Sequence, residues 1–110
     1  MKYLCLVYSA ETELESLTDA ECMAVSESMA AAGQRIAAEA LESVQTATSL
    51  RVRNGKISIT DGPFAETKEQ LAGFYLIEAP DLNDAIRVAA EIPAARVGTI
   101  EIRPVRELKP

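Results

Sequence analysis

Residues Lys2–Tyr8 read KYLCLVY, and the placement of that run decides the fold. Nearly every position is apolar, so the pattern predicts a strand buried on both faces. A second stretch has the same character. Leu71–Ala79, LAGFYLIEA, sets Leu71, Tyr75 and Ile77 on one alternation and Ala72, Phe74 and Leu76 on the other. Two such strands belong in the middle of a sheet, and the rest of the chain must cover and flank them.

The flanking elements follow from local signals. Ser9–Ser16 reads as a polar, acidic loop. Thr18 and Glu21, in T-D-A-E, make a capping box in which each side chain reaches the other's free amide. Cys22, Val25, Met29 and Ala32 recur on one helical face, and Gly33 suits the position after the last turn, which predicts a helix over 18–32. A strand is expected around Ile36–Leu41. In Thr48–Thr60, TSLRVRNGKISIT, Asn54 and Gly55 supply the two positive-φ residues of a type I′ turn. That turn pairs Val52 with Ile57 and Leu50 with Ile59, so turn chemistry and apolar pattern agree on one register. Asp81 is placed to cap a second helix with Leu82, Ala85, Ile86 and Ala89 on its buried stripe, and Pro93 ends it. Thr99–Val105 then alternates, Ile100 and Ile102 inward, Glu101 and Arg103 outward.

The order strand, helix, strand, hairpin, strand, helix, strand predicts an α+β, ferredoxin-like sandwich with an inserted β-hairpin, as one domain over residues 1–110. In that topology the first and third core strands are central, and they are the two doubly apolar runs. Two helices cover only one face. The other apolar face is a patch that a second copy, related by a two-fold axis, would cover, so a homodimer is expected.

Composition narrows the function. Net charge is −6, from 17 acidic and 11 basic residues, which argues against nucleic acid because phosphate binding needs clustered Lys and Arg. Arg51, Arg53 and Lys56 form the one small basic group and read as a solvated hairpin edge. No apolar run is long enough to span a membrane, and MKYLCLVYS is too short an apolar stretch for a signal peptide, so the expected location is cytoplasmic. Cys5 and Cys22 form no CxxC and read as small buried hydrophobes. The chain contains no histidine, which removes imidazole-based triads, metal sites and proton shuttles. No cofactor and no metal are expected; Asp61, Glu66 and Glu69 match no oxygen cage and read as solvated acids.

Asp61–Gly73, DGPFAETKEQLAG, has two readings. As a turn, Asp61 caps local amides, Gly62 takes an unusual φ, Pro63 fixes the next one and Phe64 anchors the loop in the core. As a site, Asp61 or Glu66 is the general acid or base, its carboxyl tuned by desolvation. Lys68 or Arg103 then holds an anionic group, Tyr8 and Tyr75 donate hydrogen bonds to a carbonyl, and Phe64 completes the ligand's surroundings. The alternative for both tyrosines is packing with a satisfied hydroxyl.

MKYLCLVY, the block RVRNGKISITDGPFAETKEQLAGFYLIEA and the closing PAA and IEIRPV segments resemble the DGPF-domain branch of the bacterial YCII-related proteins, over Met1 to Val105. The resemblance implies a ferredoxin-like fold that pairs into dimeric α/β barrels around an inter-sheet cleft. It implies a setting beside extracytoplasmic-function sigma factors for some members, and activity on small aromatic-derived lactones for others, with a His–Asp pair as site. Only Asp61 stands here for the acidic half. Three functions follow: a cofactor-free isomerase or lyase acting on a small organic acid or lactone, a non-enzymatic accessory or regulatory module, and an assembly domain. A small dimeric protein binding a small organic molecule is the favoured expectation.

Overall fold

The computed structural model describes residues 1–110 and contains one four-stranded antiparallel sheet, one separate hairpin and helices on a single sheet face. The first strand, β1 (Lys2–Ser9), pairs with β5 (Gln70–Glu78) on one side and β6 (Thr99–Pro104) on the other. The order is completed by β2 (Arg35–Ala40) beyond β5, giving β2-β5-β1-β6. The two doubly apolar runs are thus the central pair, in the α+β arrangement expected.

The helices form for the reasons written in their ends. Between β1 and β2 lie a short helix, α1 (Glu11–Leu14), and the longer α2 (Asp19–Ala31). The loop expected over Ser9–Ser16 is therefore partly helical, and Glu11 secures it by accepting hydrogen bonds from the Ser43 hydroxyl and the Val44 amide. Thr18 caps α2 by accepting from the Glu21 amide. The reciprocal half of the capping box is not made, because the Glu21 carboxylate pairs instead with Arg96 at 2.5 Å. At the other end Gly33 has φ 74° and a pair of backbone bonds, Gly33 to Ala30 and Gln34 to Met29, closes the helix. The inward face of α2 carries Cys22, Val25, Ser26 and Met29, while Ala32 is exposed.

Helix α3 (Leu82–Ala89) begins where expected, with Asp81 accepting from the Asp84 amide at 2.9 Å. Its buried residues are Ala85, Val88 and Ala89, followed by Ile92, whereas Leu82 and Ile86 are half exposed. The stripe is therefore rotated from the one predicted: the alanine-rich side lets the helix approach the sheet closely, and the larger Leu82 and Ile86 fall to the margin. Pro93 opens a 3₁₀ turn over Pro93–Arg96 that leads into β6.

The core lies between sheet and helices, where Tyr3, Cys5, Val7 and Ile77 meet Met29, Ala85, Val88 and Ile92. Cross-strand partners share a face, so Cys5↔Tyr75 and Cys5↔Ile102 belong to this covered side, whereas Leu4↔Leu76, Leu6↔Phe74 and Leu6↔Glu101 belong to the other. A bulge opposite Val7 and Tyr8 resets the alternation of β5. Leu71 consequently pairs with outward Tyr8, and Ala72 packs on the core, the reverse of the expected assignment. The second correction concerns burial. Leu4, Leu6, Tyr8, Phe74 and Leu76 are only half-buried, because no element of this chain covers that face.

The hairpin, β3 (Thr48–Arg53) and β4 (Lys56–Asp61), has the predicted register and turn, with Asn54 at φ 52° and Gly55 at φ 72°. It forms its own two-stranded sheet. The molecule is consequently flat and wide, 46 × 43 × 19 Å, with a radius of gyration of 15.7 Å against about 13 Å for a compact chain of this length. No helix is long and apolar enough to cross a membrane.

Candidate functional site

A cavity of about 330 Å³ opens between α2 and the β2–β5 side of the sheet. Tyr75 and Ala72 rise from the sheet, Cys22, Met23 and Ser26 come down from α2, and Ile92 and Pro93 close one end. Most of the lining is apolar, and Asp19 adds a carboxylate from an exposed position. A volume at this scale, with few polar groups in an apolar wall, suits a small organic molecule.

Three polar groups, on Cys22, Ser26 and Tyr75, lie in the lining, and Arg35 is bonded to one of them. Cys22 and Ser26 are one helical turn apart on α2, so their side chains share a face. Ser26 accepts a hydrogen bond from Arg35 Nη1 at 2.7 Å. Arg35 Nε is buried without a partner, the sole such side-chain atom in the protein. The Tyr75 hydroxyl makes no hydrogen bond within the chain and is left to the cavity. Burial pushes the Tyr75 hydroxyl above its usual range, Cys22 adds to the rise, and Arg35 opposes it. Burial likewise raises the Cys22 thiol, assisted by Glu21 and Asp19 and opposed by Arg96. Both groups are therefore held as protonated donors at neutral pH, and a thiol so held is a poor nucleophile.

The residues singled out from the sequence are distributed differently. Tyr75 lies in the cavity, but Tyr8 is on the opposite sheet face, across from Thr99. Arg103 is exposed on that outer face and paired with Glu101 at 3.3 Å. Asp61 ends β4 opposite Thr48, and its carboxylate caps nothing. The turn is fixed by Gly62, with φ 99°, whose amide donates to Ala47 at 2.7 Å and whose carbonyl accepts from the Ser49 hydroxyl. Phe64 is 85% exposed, so it does not anchor the loop in the core of the single chain. Glu66 and Lys68 are exposed on the same loop. The loop's far end is tethered at Glu69, which accepts from the Thr99 hydroxyl at 2.7 Å beside Tyr8. No three acidic or thiol side chains gather as a metal site requires.

Sequence reasoning missed Ser26 and Arg35, and treated Cys22 as packing. The available signal was the i, i+4 pair of Cys22 and Ser26 on an otherwise apolar helix face. Arg35 was masked because its partner is reached only through the fold.

A family model described as the YCII-related domain matches residues 1–109 of this chain. The chain belongs to the YCII-related domain family. A YCII-related chain of this kind is similar to an uncharacterized protein of Rhizobium meliloti (strain 1021), with 46% identity over 66 residues. That alignment takes in 58% of this chain and 53% of the relative, so it spans about half the relative's length. The YCII-related match embraces both the cavity beneath α2 and the loop after β4, so both are parts of one family domain.

Proposed function

We propose that this protein is a homodimer in which each copy binds a small, mainly apolar molecule beneath α2, recognising one hydrogen-bonding group through Tyr75. The cavity carries the reading: it is apolar, of ligand size, and contains a tyrosine hydroxyl with no partner. The dimer is supported by the uncovered stripe of Leu4, Leu6, Phe74 and Leu76. Binding without catalysis is favoured because Cys22 and Tyr75 are both held protonated, leaving a donor site with no activated nucleophile. This agrees with an accessory or regulatory role, which the resemblance of the Asp61–Phe64 motif to the DGPF branch, with its sigma-factor neighbours, also supports.

A second reading keeps cofactor-free acid–base catalysis in an inter-sheet cleft. Its support is the Glu69–Thr99 tether, which brings the base of the 62–69 loop to the Tyr8 end of the outer face. There a partner's sheet would close over Asp61 and Glu66, with Phe64, Lys68 and Arg103 around the ligand.

Ligand-observed NMR with monocyclic phenols, lactones and cyclic ketones separates the two. In the favoured reading Ala38→Phe fills the cavity and abolishes binding, and Tyr75→Phe weakens it about three- to tenfold, the value of one neutral hydrogen bond. Bound ligand also slows alkylation of Cys22. Binding that survives Ala38→Phe but is lost in Asp61→Asn or Glu66→Gln moves the ligand to the inter-sheet cleft.

A further inference from the structure

The β3–β4 hairpin has two unlike faces. Leu50, Val52, Ile57 and Ile59 all lie on one, by register, and are 55–68% exposed. Arg51, Arg53 and Lys56 lie on the other, with Ser49, Ser58 and Thr60. A two-stranded ribbon is marginal by itself in water, and four exposed aliphatic side chains on one face leave this ribbon without the packing that would hold it. Nothing within the chain provides that packing.

We propose that the hairpin is a dimerisation arm that lays its aliphatic face on a second copy of this chain. The proposal rests on the homodimer argued above and adds a second contact to it. Area is the first argument. The chain exposes 7926 Å², whereas a compact monomer of this mass exposes about 5,900 Å². The surplus of about 2,000 Å² per copy falls in the range of permanent homodimer interfaces. The outer sheet face cannot supply it alone, since its large side chains are already half-buried by their neighbours. The hairpin supplies the remainder.

Charge is the second argument, and it selects the partner. Thr48–Thr60 carries three bases and no acid on a chain of net charge −6, so the rest of the chain carries −9. The arm is thus complementary to another copy's body. Acids stand on the outer sheet face, Glu39 beside Phe74 without an ion pair and Glu101 beside Leu6 sharing its carboxylate with Arg103, within reach of long basic side chains that curl past the ribbon's edge. The hairpin follows β2, an edge strand, so it leaves from the rim of the sheet and forms a sheet of its own, free to reach a second copy. Reciprocal arms make two such contacts per dimer.

Sedimentation equilibrium of wild type, the double variant Ile57→Lys/Ile59→Lys and Leu6→Lys tests this. The two hairpin side chains touch no core residue, so the variant monomer should keep its circular dichroism and Tm. The expected result is a wild-type dimer whose Kd rises at least about a hundredfold in the hairpin variant, and rises with added salt. Amide exchange in wild type gives a reading without substitution: Leu50–Ile59 amides should be slower above the dimer Kd than below it. A hairpin variant that dimerises like wild type, with exchange independent of concentration, overturns the arm, leaves the sheet-face dimer standing, and opens the ribbon to a different protein. A monomeric wild type overturns both.

Discussion

Cys5 is fully buried at the centre of β1, between Tyr75 and Ile102 on the neighbouring strands. Burial pushes its thiol from 9.0 up to about 11, because no nearby charge offsets the cost of a desolvated thiolate. The folded chain therefore keeps a proton that the unfolded chain releases above pH 9. Stability from this group is complete below pH 9 and is lost as the pH rises toward 11, with a total near 3 kcal/mol at 1.36 kcal/mol per unit. Cys5→Ala removes that slope. Urea unfolding at pH 8 and pH 10.5 should show the variant less stable at the lower pH by the cost of the cavity, about 1–2 kcal/mol. The gap should narrow or close at the higher pH. A gap that stays constant would mean that the thiol titrates alike in both states. Gly98 is a second residue with a single physical reason. A Cβ there would run into the Tyr8 carbonyl oxygen and the Ser9 side chain, where the chain enters β6. Gly98→Ala should cost about 1–3 kcal/mol, as forced overpacking does, read as a lower urea midpoint with unchanged slope.

At the scale of elements, the hairpin was the most legible part of the sequence, since Asn54-Gly55 and the aliphatic pairs fix one register from local information alone. Gly55→Val forces a β-branched residue to φ 72°, at a cost of about 1–2 kcal/mol. Because the hairpin makes its own sheet, the loss should appear as faster amide exchange over Thr48–Asp61, with the four-stranded sheet unchanged. Uniform loss of protection would show that the ribbon and the sandwich unfold together. The helices were legible at their ends, through Thr18, Gly33 and Asp81, but less so in rotation. A stripe of alanines has several nearly equivalent settings, and what selects Ala85, Val88 and Ala89 is the shape of the sheet beneath. The same limit applies to β5. The bulge near Leu71 follows from pairing with β1 and with β2, where a Cβ on Gly73 would come within 2.8 Å of the Glu39 carbonyl oxygen. The cavity joins Cys22 and Ser26 of α2 to Tyr75 of β5, with Arg35 of β2 reaching it only through Ser26, and only the helical pair of Cys22 and Ser26 had a sequence signature. The DGPF loop was legible as a turn, though Gly62 and not Asp61 makes it.

For the whole molecule, the decisive quantity is how little the chain buries: 14 of its 110 residues are buried, which leaves a thin core for a domain of this length. A flat two-layer body with one apolar face open gains stability by covering that face, and mass action then ties folding to concentration. Each tenfold rise in protein adds about 1.4 kcal/mol per dimer, or about 0.7 kcal/mol per copy. At 4–8 °C per kcal/mol for a domain near this size, Tm should climb about 3–6 °C for each tenfold increase. Leu6→Lys tests where the dependence originates. Leu6 points outward between Phe74 and Glu101, so in a single copy the ammonium reaches water and finds a carboxylate beside it, and the monomer should fold. Against a second sheet the same ammonium would be buried opposite apolar side chains, a cost of several kcal/mol that the dimer cannot absorb. The variant should therefore show a lower Tm that no longer changes with concentration. A Leu6→Lys protein that keeps the wild-type dependence would place the two-fold contact elsewhere. With the sheet face excluded, the hairpin would then be the first surface to test.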